Sequence, residues 1–316
     1  MAHPTVQQLR YAVAVADTRH FGRAARACFV SQPALSAQIR DLETRLRLQL
    51  FERTSRGVLI TEAGTEVIDR ARRILREVDD LCEAAAGVAG DLSGSLRLGV
   101  ISTIAPYVLP HSIGLIRDAY PDFDLYLRED RTDPLIAQLQ AGELDLLLLA
   151  LPVARPGIEE LALYAEPFLL AIPETHALAR RRSCDVSALA DERLVLLEEG
   201  HCLRDQALAV CDLAGRDGPA EVQGTSLPTV VQMVGIGLGI TLLPAGTVER
   251  NVHPGAHVVV RPLQPPAPTR TVGLAYRSSS ARVAEYRRLG DLFRAAGHES
   301  MKHTSSHIDS SPAFGS

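Results

Sequence analysis

Residues Phe21–Glu43 read FGRAARACFVSQPALSAQIRDLE, and this stretch decides the fold of the N-terminal part of the chain. Its first part predicts a short helix to Cys28, in which the small pair Ala24–Ala25 allows another helix to pack closely. Ser31 is a typical helix N-cap, and Pro33 is tolerated in the first turn of the helix that follows. Two short helices joined by so tight a turn predict a helix-turn-helix.

The residues on either side extend this motif into a winged DNA-binding head. Residues 5–18 predict an earlier helix, and the second helix of the motif runs to about Leu46. Residues 50–60 predict a two-stranded wing that turns at Gly57, and Thr61 caps a long helix that ends at about Ala86. The inward face of the second motif helix is predicted to consist of Leu35, Ile39, Leu42 and Leu46.

Apolar residues recur along the long helix at alternating spacings of four and three, which is a heptad pattern. We interpret this pattern as a dimer seam, because charged residues flank it; a helix lying on a globular core is the alternative reading. Small residues then predict a hinge at Gly87, Gly90, Ser93 and Gly94. The seam consists of Val67, Ala71, Ile74, Val78, Leu81 and Ala85.

Charge is unevenly distributed along the 316 residues. The first 60 residues carry nine Arg and four acidic residues, a net charge of +5. Because the whole chain has a net charge of −5, the remaining residues carry −10. A basic head on an acidic body indicates contact with nucleic acid at one end. Five cysteines without regular spacing, no apparent secretory signal and no long apolar run predict a reducing cytoplasm and no membrane contact.

From Ser95 onward, strands and helices alternate, which predicts α/β units with parallel sheets. Nearly 200 residues are large for a single sheet, so we expect two lobes with a cleft, followed by a disordered polar tail. The predicted strands are Leu96–Val100, Asp124–Leu127, Asp145–Leu151, Phe168–Ile172, Leu194–Leu197, Ile240–Leu243, Val258–Val260 and Val272–Tyr276. The predicted helices lie at about 105–119, 134–141, 203–213, 227–237 and 280–296.

One short segment combines residues that favour thiol chemistry. Cys202 follows His201 and precedes Arg204 by two residues, and either positive charge would favour the reactive thiolate. Cys211 lies nine residues later and could resolve a sulfenic acid into a disulfide. Two cysteines buried in a helix are the alternative. We interpret Cys28, Cys82 and Cys184 as packing residues.

The helix-turn-helix stretch, with Val30–Ser36 and Gln38–Ile39, closely resembles that of LysR-type transcriptional regulators. Phe51–Arg53 and Thr61–Gly64 are also similar to that family's wing and linker-helix start. The resemblance covers nearly the whole chain. It implies α/β architecture with an N-terminal all-α winged helix-turn-helix (1–60), a dimerising linker helix and hinge (61–90), a two-lobed effector domain like periplasmic binding proteins (91–300) and a tail (301–316). Lobe I would comprise about 91–164 and 268–300, and lobe II about 165–267.

Within that family, the stretch GHCLRDQA at 200–207 with Cys211 resembles regulators that respond to hydrogen peroxide. The segments APYVLP at 105–110 and GITLLPA at 239–245 are similar to the same regulators. This resemblance implies that Cys202 is the peroxidatic thiol and Cys211 its resolving partner. It places Thr103, Thr132, His201 and Asp205 around the peroxide, with Arg204 nearby.

The same resemblance implies the partners: double-stranded DNA, hydrogen peroxide, RNA polymerase, a cytosolic dithiol reductant and further copies of the chain in a dimer of dimers. We expect no cofactor, no metal and no enzymatic turnover. The candidate DNA contacts are Ser31, Gln32, Pro33, Ser36 and Gln38 for base edges, and Arg53 and Arg56 for phosphates or the minor groove.

Three other functions are compatible with parts of the sequence. A regulator of the same family could bind a small metabolite in the cleft, a thiol peroxidase could use the same cysteines, and a solute-binding protein would have the same lobes. The cysteine pair argues against the first, the DNA-binding head against the second, and the absence of a signal peptide against the third.

Overall fold

In a computed structural model of the chain, the structure describes residues 3–54, 57–86, 92, 94–212 and 222–302. The chain divides into two compact units at about residue 90. The first unit is built around one apolar core and the second around two. The N-terminal winged helix-turn-helix, the long helix and the α/β regulatory unit predicted from the sequence are all confirmed.

The head consists of three helices and a two-stranded wing: α1 (Val6–Thr18), α2 (Phe21–Ala27), α3 (Gln32–Leu46), β1 (Phe51–Thr54) and β2 (Gly57–Ile60). Side chains cap all three helices, which satisfies backbone N–H groups that have no partner within the helix. Thr5 forms a capping box with Gln8, and His20 Nδ1 accepts from the Gly22 amide at 3.0 Å. Ser31 caps α3 as predicted, accepting from the Ala34 amide.

The long helix α4 (Glu62–Ala86) packs on the head with its first turns. Ile68 and Ala71 are fully buried in the head core, and Val67 is partly buried against it. Ala71 therefore belongs to the head core and Val67 packs partly against it, while the dimer seam itself stays a prediction. Ile74 and Leu81 are exposed, at 47% and 69%, and so are available to a second chain. The hinge residues Gly87, Gly90 and Ser93, like the side chain of Ala85, lie outside the described residues.

The turn of the helix-turn-helix contains a strained and exposed aromatic residue. Phe29 has a φ of +56°, in the left-handed region that bulky side chains rarely adopt, and it is 96% exposed. Its amide donates to the Arg26 carbonyl, and the next amide, of Val30, donates to Ala25. These two bonds close the C-terminus of α2 and require the left-handed residue at position 29.

Phe29→Gly is expected to raise the free energy of unfolding by about 0.5–1 kcal/mol, since relief of the left-handed strain is partly offset by the greater entropy of unfolded glycine. Chemical denaturation measures this change. Phe29→Ala is the matched control: it removes the exposed ring but retains Cβ and the strain, so it should not stabilise. Equal stabilisation by alanine would show that the ring, and not the backbone conformation, is unfavourable.

The regulatory unit contains nine strands and six helices among its described residues. The strands are β3 (Gly94–Ile101), β4 (Phe123–Asp130), β5 (Leu146–Leu151), β6 (Ile158–Pro173), β7 (Val195–Leu197), β8 (Val222–Gly224), β9 (Thr241–Pro244), β10 (Val258–Pro262) and β11 (Thr269–Arg277). The helices are α5 (Ala105–Ala119), α6 (Thr132–Ala141), α7 (Cys202–Asp212), α8 (Leu227–Gly235), α9 (Val248–Asn251) and α10 (Val283–Lys302).

The main sheet is mixed, which corrects the prediction of parallel sheets. Its order is β10-β6-β11-β5-β3-β4, with β9 also paired to β6. Strand β3 runs parallel to β4 and β5, and a separate pair, β7 and β8, is parallel. Strand β11 is antiparallel to β5 and β6, and β6 is antiparallel to β9 and β10. The sequence alternation did not show strand direction, because direction depends on pairings between distant segments.

Two apolar cores confirm the two-lobed architecture. One core is built on β3, β5, β11 and α10, and the other on β7, α7, α8, β9 and β10. Strand β6 contributes to both, since Leu163 and Tyr164 lie in the first core and Phe168–Ile172 in the second. The exact lobe boundaries drawn from the sequence stay a prediction.

The C-terminal helix is longer than predicted. It continues to Lys302, beyond Gly297, because Gly297 packs directly against the ring of Tyr164 and Ser300 is buried. The remaining tail, from residue 303, lies outside the described residues. No helix in the described part of the chain is long and apolar enough to cross a membrane.

Candidate functional site

A cavity of about 590 Å³ lies in the regulatory unit beside the start of α7. Cys202 and Asp205 line it from α7, and Thr132 lines it from the start of α6. The opposite wall comes from β5, β6 and the start of β11, and includes Arg270. Three of the residues that the resemblance implies, Cys202, Thr132 and Asp205, therefore lie around one cavity, although residues 132 and 202 are far apart in the chain.

Helix α7 carries both cysteines of the predicted redox pair. Cys202 is its first residue and is half-buried, whereas Cys211 is buried in the core of the second lobe near the helix end. Both are thiols. Because α7 is helical from Cys202 to Asp212, its rise of about 1.5 Å per residue separates the two residues by about 13 Å along the axis.

Two polar atoms at the cavity are buried without a hydrogen-bond partner among the described residues. They are Oγ1 of Thr132 and Oε1 of Gln206. A buried polar atom normally has a partner, since leaving it unpaired costs about 1–3 kcal/mol. Thr132 and Gln206 line the same cavity as Cys202, so their unpaired atoms point to a small polar ligand at this cavity.

Arg270, in the cavity wall, forms a buried hydrogen-bonded network. Its side chain is 1% exposed, and its Nε donates to Glu166 Oε2 at 2.7 Å. Its Nη1 donates to the Thr103 hydroxyl at 3.0 Å, and its Nη2 donates to the Thr103 carbonyl at 3.1 Å. Thr103 thus lies one step behind the cavity and is joined to it through Arg270.

The loop before Cys202 is held from the start of α6. Arg131 donates to the Glu199 carbonyl at 3.1 Å, and its side chain lies directly against Gly200, whose φ is +90°. A Cβ at this glycine would be both strained and crowded by Arg131. His201 comes next, with Nδ1 3.4 Å from the Ser102 hydroxyl. This contact can run in either direction, because Nδ1 donates in one tautomer of the imidazole and accepts in the other.

Burial lowers the pKa of His201, and the nearby Arg131 guanidinium lowers it further, while Glu198 opposes this shift. The imidazole is therefore neutral at pH 7, and a neutral ring can both donate and accept a proton.

Arg204 lies elsewhere. Its Nη1 contacts the Leu197 carbonyl at 3.4 Å, and its side chain lines a separate, much smaller cavity together with Leu227 and Thr241. The structure does not place its guanidinium in the wall of the cavity beside Cys202.

In the head, the predicted DNA contacts differ in accessibility. Ser31, Gln32 and Pro33 are exposed at the start of α3, whereas Ser36 is buried, because it lies one residue after Leu35 on the inward side of the helix. Gln38 is exposed, and its amide oxygen accepts from Gln8 at 3.3 Å. The side chain of Arg53 and the whole of Arg56 lie outside the described residues.

The other cysteines are in different surroundings. Burial raises the pKa of Cys28 and of Cys184, which disfavours their thiolate forms. The side chain of Cys82 is not among those described. Within the described ranges, no group of His, Cys, Asp and Glu residues could hold a metal ion.

Sequence reasoning missed Arg270, Glu166, Gln206 and Arg131. Arg270 and Glu166 are separated by 104 positions and meet only because β6 and β11 pair. Gln206 could have been found, since it lies within the motif GHCLRDQA, four residues after Cys202 and therefore on the same face of a helix.

Comparisons with known proteins identify the family. The model of the bacterial regulatory helix-turn-helix of the lysR family matches residues 6–65. The LysR substrate-binding domain matches residues 89–297. The chain belongs to the LysR family. It is thus a DNA-binding regulator of transcription.

This regulator is similar over nearly its whole length to OxyR proteins. The DNA-binding transcriptional dual regulator OxyR of Escherichia coli K12 is 46% identical over 290 residues, which are 92% of this chain and 95% of the relative. A full-length OxyR from Pseudomonas aeruginosa with one cysteine replaced by aspartate is 36% identical, with a TM-score of 0.78, covering 93% and 96% of the two chains. A Corynebacterium glutamicum OxyR cysteine variant with bound H2O2 is 36% identical, with a TM-score of 0.68, and the match covers 96% of each chain.

Two substitutions should move the pKa of His201 in opposite directions. Arg131→Gln removes a positive charge and should raise it, whereas Glu198→Gln removes a negative charge and should lower it further. Titration of the imidazole resonances by NMR measures both shifts. Movement in the same direction would mean that altered burial, and not charge, controls this pKa.

Proposed function

We propose that this LysR-family regulator senses hydrogen peroxide at Cys202 and responds by forming a reversible disulfide with Cys211. One observation carries the proposal: Cys202 lines a cavity together with two buried polar atoms, of Thr132 and Gln206, that have no partner among the described residues. A peroxide molecule can both donate and accept hydrogen bonds, so it would satisfy both atoms. The binding of H2O2 by the similar Corynebacterium glutamicum OxyR variant supports this assignment.

In the first step, the Cys202 thiolate attacks one peroxide oxygen. The sulfur–oxygen bond forms while the oxygen–oxygen bond breaks, the sulfur is oxidised to sulfenic acid, and the leaving oxygen takes a proton and departs as water. Placement at the N-terminus of α7 favours negative charge on sulfur. Thr132 can donate to the leaving oxygen, and Asp205 or the neutral His201 can carry the proton. Thr103 acts through Arg270.

In the second step, the Cys211 thiolate attacks the Cys202 sulfur, the sulfur–sulfur bond forms as the sulfur–oxygen bond breaks, and the leaving hydroxide takes a proton and departs as a second water. The Cα atoms of a disulfide lie within about 7 Å, about half the axial separation of these cysteines in α7. Helix α7 must therefore unwind. Unwinding removes Leu203, Ala207 and Val210 from the lobe core, which couples oxidation to refolding. A cellular dithiol would supply the two electrons that reduce the Cys202–Cys211 disulfide to two thiols.

The signal would reach DNA through the assembly of several chains. We propose that α4 dimerises through its exposed residues Ile74 and Leu81, and that pairs associate into a dimer of dimers. Refolding of α7 would then change the spacing of the heads on double-stranded DNA, where Gln32 and Pro33 face the major groove. Contact with RNA polymerase and a cytoplasmic location belong to the same proposal.

A second candidate function has one observation in its favour. A cavity of about 590 Å³ is much larger than a peroxide molecule and lies within the usual size range of pockets for small metabolites. A DNA-binding assay separates the two functions: peroxide should change binding only when Cys202 is present, whereas a metabolite should act equally on Cys202→Ser. A thiol peroxidase would instead show rapid turnover with excess reductant.

Brief treatment with low peroxide should produce one disulfide, between Cys202 and Cys211, that a dithiol reverses. Cys202→Ser should abolish the reaction, whereas Cys211→Ser should react and stop at the sulfenic acid or a mixed disulfide, because its resolving thiol is gone. Mass spectrometry maps the products, and Cys184→Ser is the control, expected to behave as wild type. A normal DNA-binding response in Cys202→Ser would contradict the proposal.

Thr132→Val should slow oxidation of Cys202 by peroxide by about 10- to 1000-fold, since it removes a donor aimed at charge that develops in the transition state. Its melting temperature should change little, because the hydroxyl makes no hydrogen bond to the described protein. Alkylation of Cys202 should keep its rate, since it needs only the thiolate. Stopped-flow measures both rates, with Thr229→Val, in the first turn of α8 and outside the cavity lining, as control. Equal slowing of both reactions would remove Thr132 from the peroxide site.

A further inference from the structure

Among the residues that the structure describes, one buried ion pair lies at the cavity wall, and it joins β11 to β6, the strand that both lobe cores share. Glu166 on β6 and Arg270 on β11 are directly opposite in the antiparallel register. Their side chains are 5% and 1% exposed, and Arg270 also lines the cavity. A buried guanidinium needs a compensating charge and good hydrogen bonds to keep one position.

We propose that Glu166 is a positioning residue, which holds the Arg270 guanidinium at the cavity wall in the orientation needed for peroxide reduction. This inference rests on the proposed function. Arg270 has five N–H groups, and its contacts with Glu166 and Thr103 leave one of them, on Nη1, without a partner among the described residues. Arg270 lines the cavity, and under the proposal this N–H donates to the leaving oxygen of a bound peroxide.

The same orientation determines how Thr103 can act. Its hydroxyl oxygen accepts from Arg270 Nη1, so its own hydrogen is left to donate. The Thr103 carbonyl accepts from Nη2, so the two contacts together hold the edge of the guanidinium formed by Nη1 and Nη2. A rotation of Arg270 would therefore change the donors of both residues together.

Glu166 itself is fixed from a third segment. Its Oε1 accepts from the Gly246 amide at 2.8 Å, while Oε2 faces Arg270. A Cβ at Gly246 would lie 2.8 Å from this Oε1 and 2.8 Å from the Ser300 hydroxyl of α10, so a larger residue would displace the carboxylate. Both oxygens of Glu166 thus act as acceptors. Glutamine has one acceptor oxygen and cannot replace both contacts.

Two variants test the proposal by different routes. Glu166→Gln removes the charge and one acceptor, and Gly246→Ala displaces the carboxylate but leaves both charges in place. Each should slow oxidation of Cys202 by peroxide by at least about tenfold, because a misplaced donor no longer meets the developing charge. Alkylation of Cys202 by iodoacetamide should keep its wild-type rate, since this reaction needs neither Arg270 nor a peroxide site.

Two controls separate positioning from general destabilisation. Asp145→Asn removes a carboxylate of similar burial, paired with Arg97 and Arg277 away from the cavity, and Gly114→Ala adds a methyl group where no atom lies within 4 Å. Both should keep the wild-type ratio of the two rates. A merely structural role of Glu166 would leave the ratio of the oxidation rate to the alkylation rate unchanged. If Glu166→Gln does not fold, Gly246→Ala still provides the test.

An NMR measurement makes the test independent of peroxide chemistry. The Nε–H of Arg270 should exchange slowly with solvent in the wild type and rapidly in both variants. The proposal would be overturned if oxidation and alkylation slowed equally in the variants, or if neither slowed. It would also be overturned if the exchange rate of the Arg270 Nε–H stayed as in the wild type. A wild-type protein whose Cys202 does not react with peroxide would overturn the proposed function instead, and the Nε–H exchange would still decide whether Glu166 positions Arg270.

Discussion

The buried ion pair between Arg270 and Glu166 is the contact on which the cavity wall of the regulatory unit depends, because a buried guanidinium is costly unless its charge and its N–H groups are satisfied. Arg270 meets Glu166 across the pair β6 and β11, and β6 is the strand that contributes to both lobe cores. The contacts extend to Thr103 in the first lobe and to the Gly246 amide next to β9 in the second. One ion pair therefore ties four segments of the chain to the wall of a single cavity.

The reactive end of α7 and its buried end have opposite surroundings. Cys202 opens the helix beside polar groups that have spare hydrogen-bonding capacity, whereas Cys211 lies among apolar side chains of the second core. The hydrogen bonds of the helix hold these two environments apart. A small molecule that reaches the first cysteine is thus well separated from the second for as long as the helix persists.

Local features of the fold could be predicted from the sequence, and non-local ones could not. The helix at 105–119 agrees with α5 residue for residue, and Ser31 caps α3 as expected, because spacing and capping are properties of neighbouring residues. The first half of β6 was missed, since only its second half forms a continuous buried apolar run. Strand direction was also missed, because it is decided by partners distant in the chain.

The candidate site divides in the same way. Cys202, Thr132 and Asp205 were located through a motif resemblance, and they line one cavity. Arg270 and Glu166 have no local signature, because each is an ordinary charged residue within its own strand and becomes significant only through cross-strand pairing. The side chain of Arg204 follows the helical period instead: it lies two residues from Cys202, so it projects from a different face of α7 and meets Leu197.

The sharing of β6 between the two cores limits how this protein can change in evolution. The two halves of this 16-residue strand are anchored by different partners, and an extra residue at Leu163 already forms a bulge opposite β11. Insertion of a further residue beyond the bulge would shift the register of Phe168–Ile172 against β9 and β10 and disturb the packing of these side chains in the second core. Differences in length among descendants of this sequence should therefore accumulate in the connecting loops, while the count of residues along β6 stays constant.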